Sequence, residues 1–143
     1  MTDQYTIVLD DAAAPQDLQV IHQGLGRFNR EHGGLPDPAA LGLFVRNAAG
    51  ITLGGLLGYT LGVWLHIDNF WLDETIRRNG YGTRLLQQAE HEAIARGCRI
   101  ADLTTFDFQS PTFYEKNGYE LFAELSDVVP GHTLRFYRKE LRS

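Results

Sequence analysis

The stretch Arg77-Arg78-Asn79-Gly80-Tyr81-Gly82-Thr83-Arg84 gathers the ingredients of an anion site. It lies between a β-rich run and the start of a strongly periodic helical segment. Backbone N–H groups at a helix start lack intrahelical acceptors and sit at the positive end of the dipole, and glycine lets that backbone approach a phosphate closely. The arginines add local charge. A dinucleotide fingerprint would need a third glycine where Leu85 stands, and a Walker loop would need a Gly-Lys-Ser/Thr ending, so neither nucleotide class fits. Taken alone, the stretch reads equally as a glycine-rich turn with exposed arginines.

Residue types remove several other chemistries. Lysine occurs only at Lys116 and Lys139, and Ser110, Ser126 and Ser143 form no G-x-S-x-G elbow, which disfavours Schiff-base and serine-hydrolase mechanisms. His22, His32, His66, His91 and His132 never fall at H-x-x-x-H spacing, and the single cysteine, Cys98, cannot build a structural zinc site or an internal disulfide. No metal is expected. Cys98 reads as a small buried hydrophobe rather than a nucleophile.

A length of 143 residues implies one domain spanning 1–143, and 43% apolar with 22% charged residues is an ordinary globular composition. A formal net charge of −5 gives no general attraction to nucleic acid or an anionic membrane. The start of the chain lacks the pattern of a signal peptide and the lone cysteine suits a reducing compartment, so a cytoplasmic location is expected. Ala48 to Leu65 carries no charge and has Gly50, Gly54, Gly58 and Gly62 at four-residue spacing, as packed membrane helices do. Its glycines and β-favouring Ile51, Thr52, Tyr59, Thr60, Val63 and Trp64 instead predict consecutive strands.

The elements read in order as a strand at 5–9, a helix from Pro15 to about Gly33, and strands at 43–46, 52–60 and 64–72. A helix follows at about 81–96, closed by Gly97, then a strand at 100–106, a short helix at 111–116 with an Asn117-Gly118 exit, and strands at 119–125 and 133–141. This order predicts a mixed sheet covered by helices.

The R-x-x-G-x-G pattern at Arg77, Gly80 and Gly82, after a strand and opening a helix, resembles the acyl-CoA pyrophosphate loop of the GNAT N-acetyltransferases. Downstream, Phe113-Tyr114-Glu115-Lys116-Asn117-Gly118-Tyr119 is similar to the family's F-Y-E-K-x-G-[FY] segment. The resemblance implies an α+β, three-layer fold: a mixed, mostly antiparallel twisted sheet of six or seven strands with helices on both faces. It implies acetyl-CoA as cosubstrate, with its pyrophosphate held by backbone groups of Asn79, Gly80, Tyr81, Gly82 and Thr83 beside Arg77 and Arg78. It places Trp71 and Leu72 against the pantetheine arm, Leu72 N–H on the acetyl carbonyl and Tyr114 as the acid for the departing thiolate. An asparagine often found seven residues before that tyrosine is replaced by Asp107, and Gln109 is the substitute expected to meet the pantetheine.

An ammonium has no lone pair, so the acceptor amine must lose a proton before it attacks. By resemblance, the base belongs on the strand before the loop, where His66 and Asp68 stand two residues apart and so on one strand face. Phe28, Asn29, Glu31 and His32 are further candidates to line an acceptor cleft. The expected activity is acetyl transfer to a primary amine of a small molecule, directly within a ternary complex. The compact, antibiotic-modifying members are the most similar. Acetylation of a protein amine and a non-catalytic CoA-binding regulatory module are the alternatives, and a homodimer is left open.

Overall fold

A computed structural model describes residues 4–142 in two compact units, one ending at Asp37 and the other beginning at Pro38. The first unit contains α1 (Pro15–Gly33). Pro15 occupies the first turn, where its missing N–H leaves no helical bond unmade, and Gly34 ends the helix in the left-handed region at φ 63°. Residues 5–9, expected as a strand, are irregular, which corrects the sequence reading. β-propensity only favours a strand; a ladder partner makes one, and this run has none among the described residues.

The second unit runs β1 (Ala39–Arg46), β2 (Thr52–Leu61), β3 (Trp64–Leu72), a 3-10 turn (Glu74–Ile76), α2 (Tyr81–Ala95), β4 (Ile100–Phe106), α3 (Pro111–Lys116), β5 (Glu120–Val129) and β6 (His132–Glu140). The six strands form one sheet in the order β1-β2-β3-β4-β6-β5, antiparallel except for β3 and β4. A parallel pair needs a crossover rather than a hairpin, and α2 supplies it. α2 lays Leu86, Ala89 and Ala93 on a sheet face bearing Leu56, Leu65, Ile67, Ala101, Leu103 and Tyr137. A buried polar link crosses this layer: Tyr119 OH donates to Glu90 Oε2 at 2.8 Å and Lys139 Nζ to Glu90 Oε1 at 2.8 Å.

The uncharged glycine-spaced segment is the β1–β2 turn, β2 and the β2–β3 hairpin. Among the described residues no helix is long and apolar enough to cross a membrane. A Cβ on Gly58 would lie 2.2 Å from His66 O and one on Gly54 2.6 Å from Trp71 O. These glycines therefore serve the close approach of β2 to β3.

Candidate active site

The site begins with one extra residue in β3. Leu57 pairs with Asn69 but Gly58 pairs with Ile67, so Asp68 is left over as a bulge. Simple alternation would put His66, Asp68 and Phe70 on one face; the bulge returns Phe70 to the core side with Ile67. A bulge also bends its strand. β3 and β4 are paired only from Trp64/Ile100 to Ile67/Leu103, after which they part, while β3 runs on to Leu72 and β4 to Phe106. Asp73 N–H donates to Leu53 O on the β2 side. Because successive strand residues point their backbone groups to opposite sides, the Leu72 N–H faces the gap that β4 has left.

α2 starts at that gap. Its N-cap is Gly80, at φ 82°, with no side-chain cap and no acidic residue in the first turn, so its positive end is uncompensated. The chain reaches it through Arg78 at φ 66°. Arg77 Nε donates to Leu72 O at 2.8 Å and straps the loop to the end of β3. A cleft of about 850 Å³ results, lined by Phe70 to Leu72, residues of the loop and first turn of α2, Phe108 to Ser110, and Phe113 with Tyr114. A Cβ on Gly82 would touch the Phe113 ring at 3.4 Å, so its hydrogen leaves that wall open.

Tyr114 forms part of the far wall. It is buried, packs edge-to-face on Phe70 and Tyr119, and makes no hydrogen bond through its hydroxyl among the described residues. Burial pushes its pKa up to about 12. Gln109 also lines the cleft, but its Oε1 is engaged, accepting from Phe106 N–H at 2.7 Å and Thr105 Oγ1 at 3.2 Å, so only its amide nitrogen remains to meet a ligand. Asp107 turns away to β6. It accepts from Thr133 N–H and faces His132 Nδ1, each at 3.1 Å, and the Thr133 bond first, then His132, hold its carboxyl below the usual range.

His66 and Asp68 meet, with Nε2 to Oδ1 at 3.1 Å, but neither lines this cleft. Their third partner is Asp102 of β4, whose Oδ1 lies 2.7 Å from His66 Nδ1 and accepts from Trp64 Nε1 at 2.6 Å. Sequence reasoning missed Asp102, since nothing in the chain order announces that it pairs with His66 across the parallel rung. Tyr59 completes the group, its ring 5.2 Å from His66, with its pKa raised by burial and then by Asp68 and Asp102.

Of the expected cofactor residues, Trp71, Leu72, Arg77, Arg78, Gly80, Gly82, Thr83 and Gln109 line one cleft together with Tyr114. Asn79 and Tyr81 lie between them in the chain. The Asn79 side chain donates to Arg77 O, and the Tyr81 ring carries the Arg84 guanidinium at 5.3 Å. Phe28 and His32 stack on each other at 4.0 Å within α1. Cys98 is buried, its thiol pKa raised by that burial, and it is not among the cleft residues.

A family model described as the acetyltransferase (GNAT) family matches residues 13–119. Blasticidin-S acetyltransferase of Streptomyces morookaense is 43% identical over 89 residues, which make up 62% of this chain and 65% of that protein's length. An acetyltransferase of Agrobacterium fabrum is 30% identical over 132 residues, 92% of this chain and 96% of its own. The solved structure of a candidate acetyltransferase from Agrobacterium tumefaciens superposes with a TM-score of 0.90 at 29% identity, over 95% of this chain and 99% of that one. The uncapped start of α2 beside the parting strands, the match over most of the chain and these relatives agree: the chain belongs to the acetyltransferase (GNAT) family and is an acyl-CoA N-acyltransferase.

Proposed function

We propose that the chain moves an acetyl group from acetyl-CoA to a primary amine of a small molecule, directly and with both substrates bound. The observation that carries the reading is the cleft itself, where the free edge of β3 faces an uncapped helix start across about 850 Å³. That chemistry fits a pyrophosphate bearing an extended amide arm: an anion for the N–H groups of 79–83, and a backbone partner for the unpaired edge at Leu72. When bound, acetyl-CoA supplies an activated thioester. Leu72 N–H would then stabilise negative charge on the acetyl oxygen, a contribution of about 3 kcal/mol for one such donor.

Tyr114 supplies an O–H with no competing acceptor among the described residues, set in an apolar wall. A phenol at about 12 is a weaker acid than a thiol near 8.5, so it steadies the departing thiolate mainly by hydrogen bonding. His66, with Asp68 beside it, is the group assigned to take the proton of the acceptor ammonium. A small acceptor is supported by the relative named for blasticidin S, 43% identical over its matched region.

Thiol release from acetyl-CoA over a panel of small amines, blasticidin S among them, and of peptide amines tests the reading. Turnover confined to small amines with intersecting initial-rate lines is expected. Turnover confined to peptides would move the acceptor class, and binding of acetyl-CoA without turnover on any amine would make the chain a CoA-binding module.

A further inference from the structure

We propose that Asp102 is a positioning residue that holds the His66 imidazole with Nδ1 as donor and Nε2 as the proton acceptor; this rests on the reading of His66 as the base. His66 and Asp102 face each other across the parallel rung just before the last one, Ile67/Leu103, so the pair stands at the root of the gap between β3 and β4. Asp102 Oδ1 receives Trp64 Nε1 at 2.6 Å and lies 2.7 Å from His66 Nδ1. The indole fixes the carboxylate, and the carboxylate fixes the ring.

A neutral imidazole has one N–H. Spending it on Asp102 leaves the lone pair on Nε2, which is what a base needs. Nε2 lies 3.1 Å from Asp68 Oδ1, a contact between two acceptors that becomes a hydrogen bond only once Nε2 carries the proton. In the step, the Nε2 lone pair forms the new N–H bond and the acceptor nitrogen keeps the electron pair of the bond that breaks. The proton then faces Asp68 and passes to water after transfer.

Without Asp102 the order reverses. Asp68 would draw the single ring proton to Nε2, and the base would lose its lone pair on the working side. The ring also meets the Tyr59 ring on β2 at 5.2 Å and the Trp64 ring on its own strand at 5.4 Å, while Arg138, the β6 residue in register with Asp102, makes no ion pair with it among the described residues. Asp102 is thus a partly buried carboxylate whose close partners are two ring nitrogens. Hydrogen bonding alone does not require its charge, because an asparagine oxygen held by Trp64 would still accept from Nδ1.

The test joins ring nitrogen NMR of His66 to kinetics in Asp102→Leu, Asp102→Asn and His66→Gln. Wild-type protein should show the Nδ1–H form. Asp102→Leu should show Nε2–H and lose roughly 10²-fold in kcat at unchanged acetyl-CoA KM, and Asp102→Asn should restore Nδ1–H and most of kcat. An Nε2–H form in the wild type overturns the proposal without any variant. Unchanged kcat in Asp102→Leu, with His66→Gln impaired, sinks the positioning role alone. Wild-type kcat in His66→Gln removes the base reading, and the proposal goes with it.

Discussion

Burial of Tyr114 decides two measurable things at the level of the single residue. With its pKa pushed to about 12, the phenol stays protonated across the working range and places no ionisation of its own on the rate profile there. Tyr114→Phe keeps the ring and removes the hydroxyl. Acetyl-CoA affinity should persist while kcat falls toward the low end of about 10²–10⁴-fold, as when an interaction made in the transition state is lost. Full kcat with weakened acetyl-CoA binding would reassign the hydroxyl to sulfur positioning. The same shift governs alkaline stability. Between the ordinary value of 10.0 and about 12 the unfolded chain ionises this group and the folded one does not, so stability is full below that window and falls through it. Denaturant midpoints measured across this window should fall less in Tyr114→Phe, although Tyr119, raised by burial and by Glu90, contributes in the same sense. For the base, His66→Ala and Asp68→Ala should lose acetyl transfer chiefly near neutral pH and recover at higher pH, where more acceptor is already deprotonated. An equal fractional loss at every pH would assign them to acceptor positioning.

Helices and strands act here through their ends and their bulges. The start of α2 is open because Gly82 presents only hydrogen to the Phe113 ring, 3.4 Å from where a Cβ would sit, and Leu72 Cδ1 lies 3.6 Å from the same point. Gly82→Val should therefore obstruct the cleft and weaken acetyl-CoA binding in calorimetric titration while the variant stays folded. On β2, Gly58→Ala places a methyl 2.2 Å from His66 O, a backbone atom that cannot swing aside. The expected loss is about 1–3 kcal/mol, read from the urea midpoint. Because the collision is with the strand that carries His66, kcat should fall with it. The elements themselves were largely legible: β3 and β4 have the boundaries that hydrophobic patterning predicts, as does α3 with Pro111 in its first turn. The failures are also physical. Residues 5–9 have strand propensity without a ladder, and β1 runs from Ala39, four residues before its predicted start at Leu43, because pairing with β2 continues through Ala39/Thr60.

At the scale of the whole molecule, the question is whether transfer is direct or passes through an acetyl-enzyme. Cys98 is buried beyond the C-terminal end of α2, its thiol 3.9 Å from Gly62 O and raised by desolvation, so it lacks the environment that makes a thiolate. Cys98→Ala should retain most activity, with a modest loss of stability from the small cavity, and initial-rate lines should intersect. Parallel lines together with a dead variant would replace direct transfer by a ping-pong route. The buried polar groups act elsewhere, where Glu90 joins α2 to Tyr119 and to Lys139 on β6 and so ties the crossover helix to the strands beyond the gap.

The sequence alone determined the local features. Pro15 and Gly34 bound α1, Gly80 starts α2, and a helix start has free N–H groups wherever it occurs. Those are short-range effects, written within a few residues of one another. Tertiary structure decided what faces what. The bulge at Asp68 restores Phe70 to the core and bends β3, the parting of β3 and β4 turns Leu72 N–H into a free donor, and a parallel rung sets Asp102 against His66 from 36 residues away. Each depends on strand register, which is fixed by the packing of a whole sheet face rather than by neighbours in the chain.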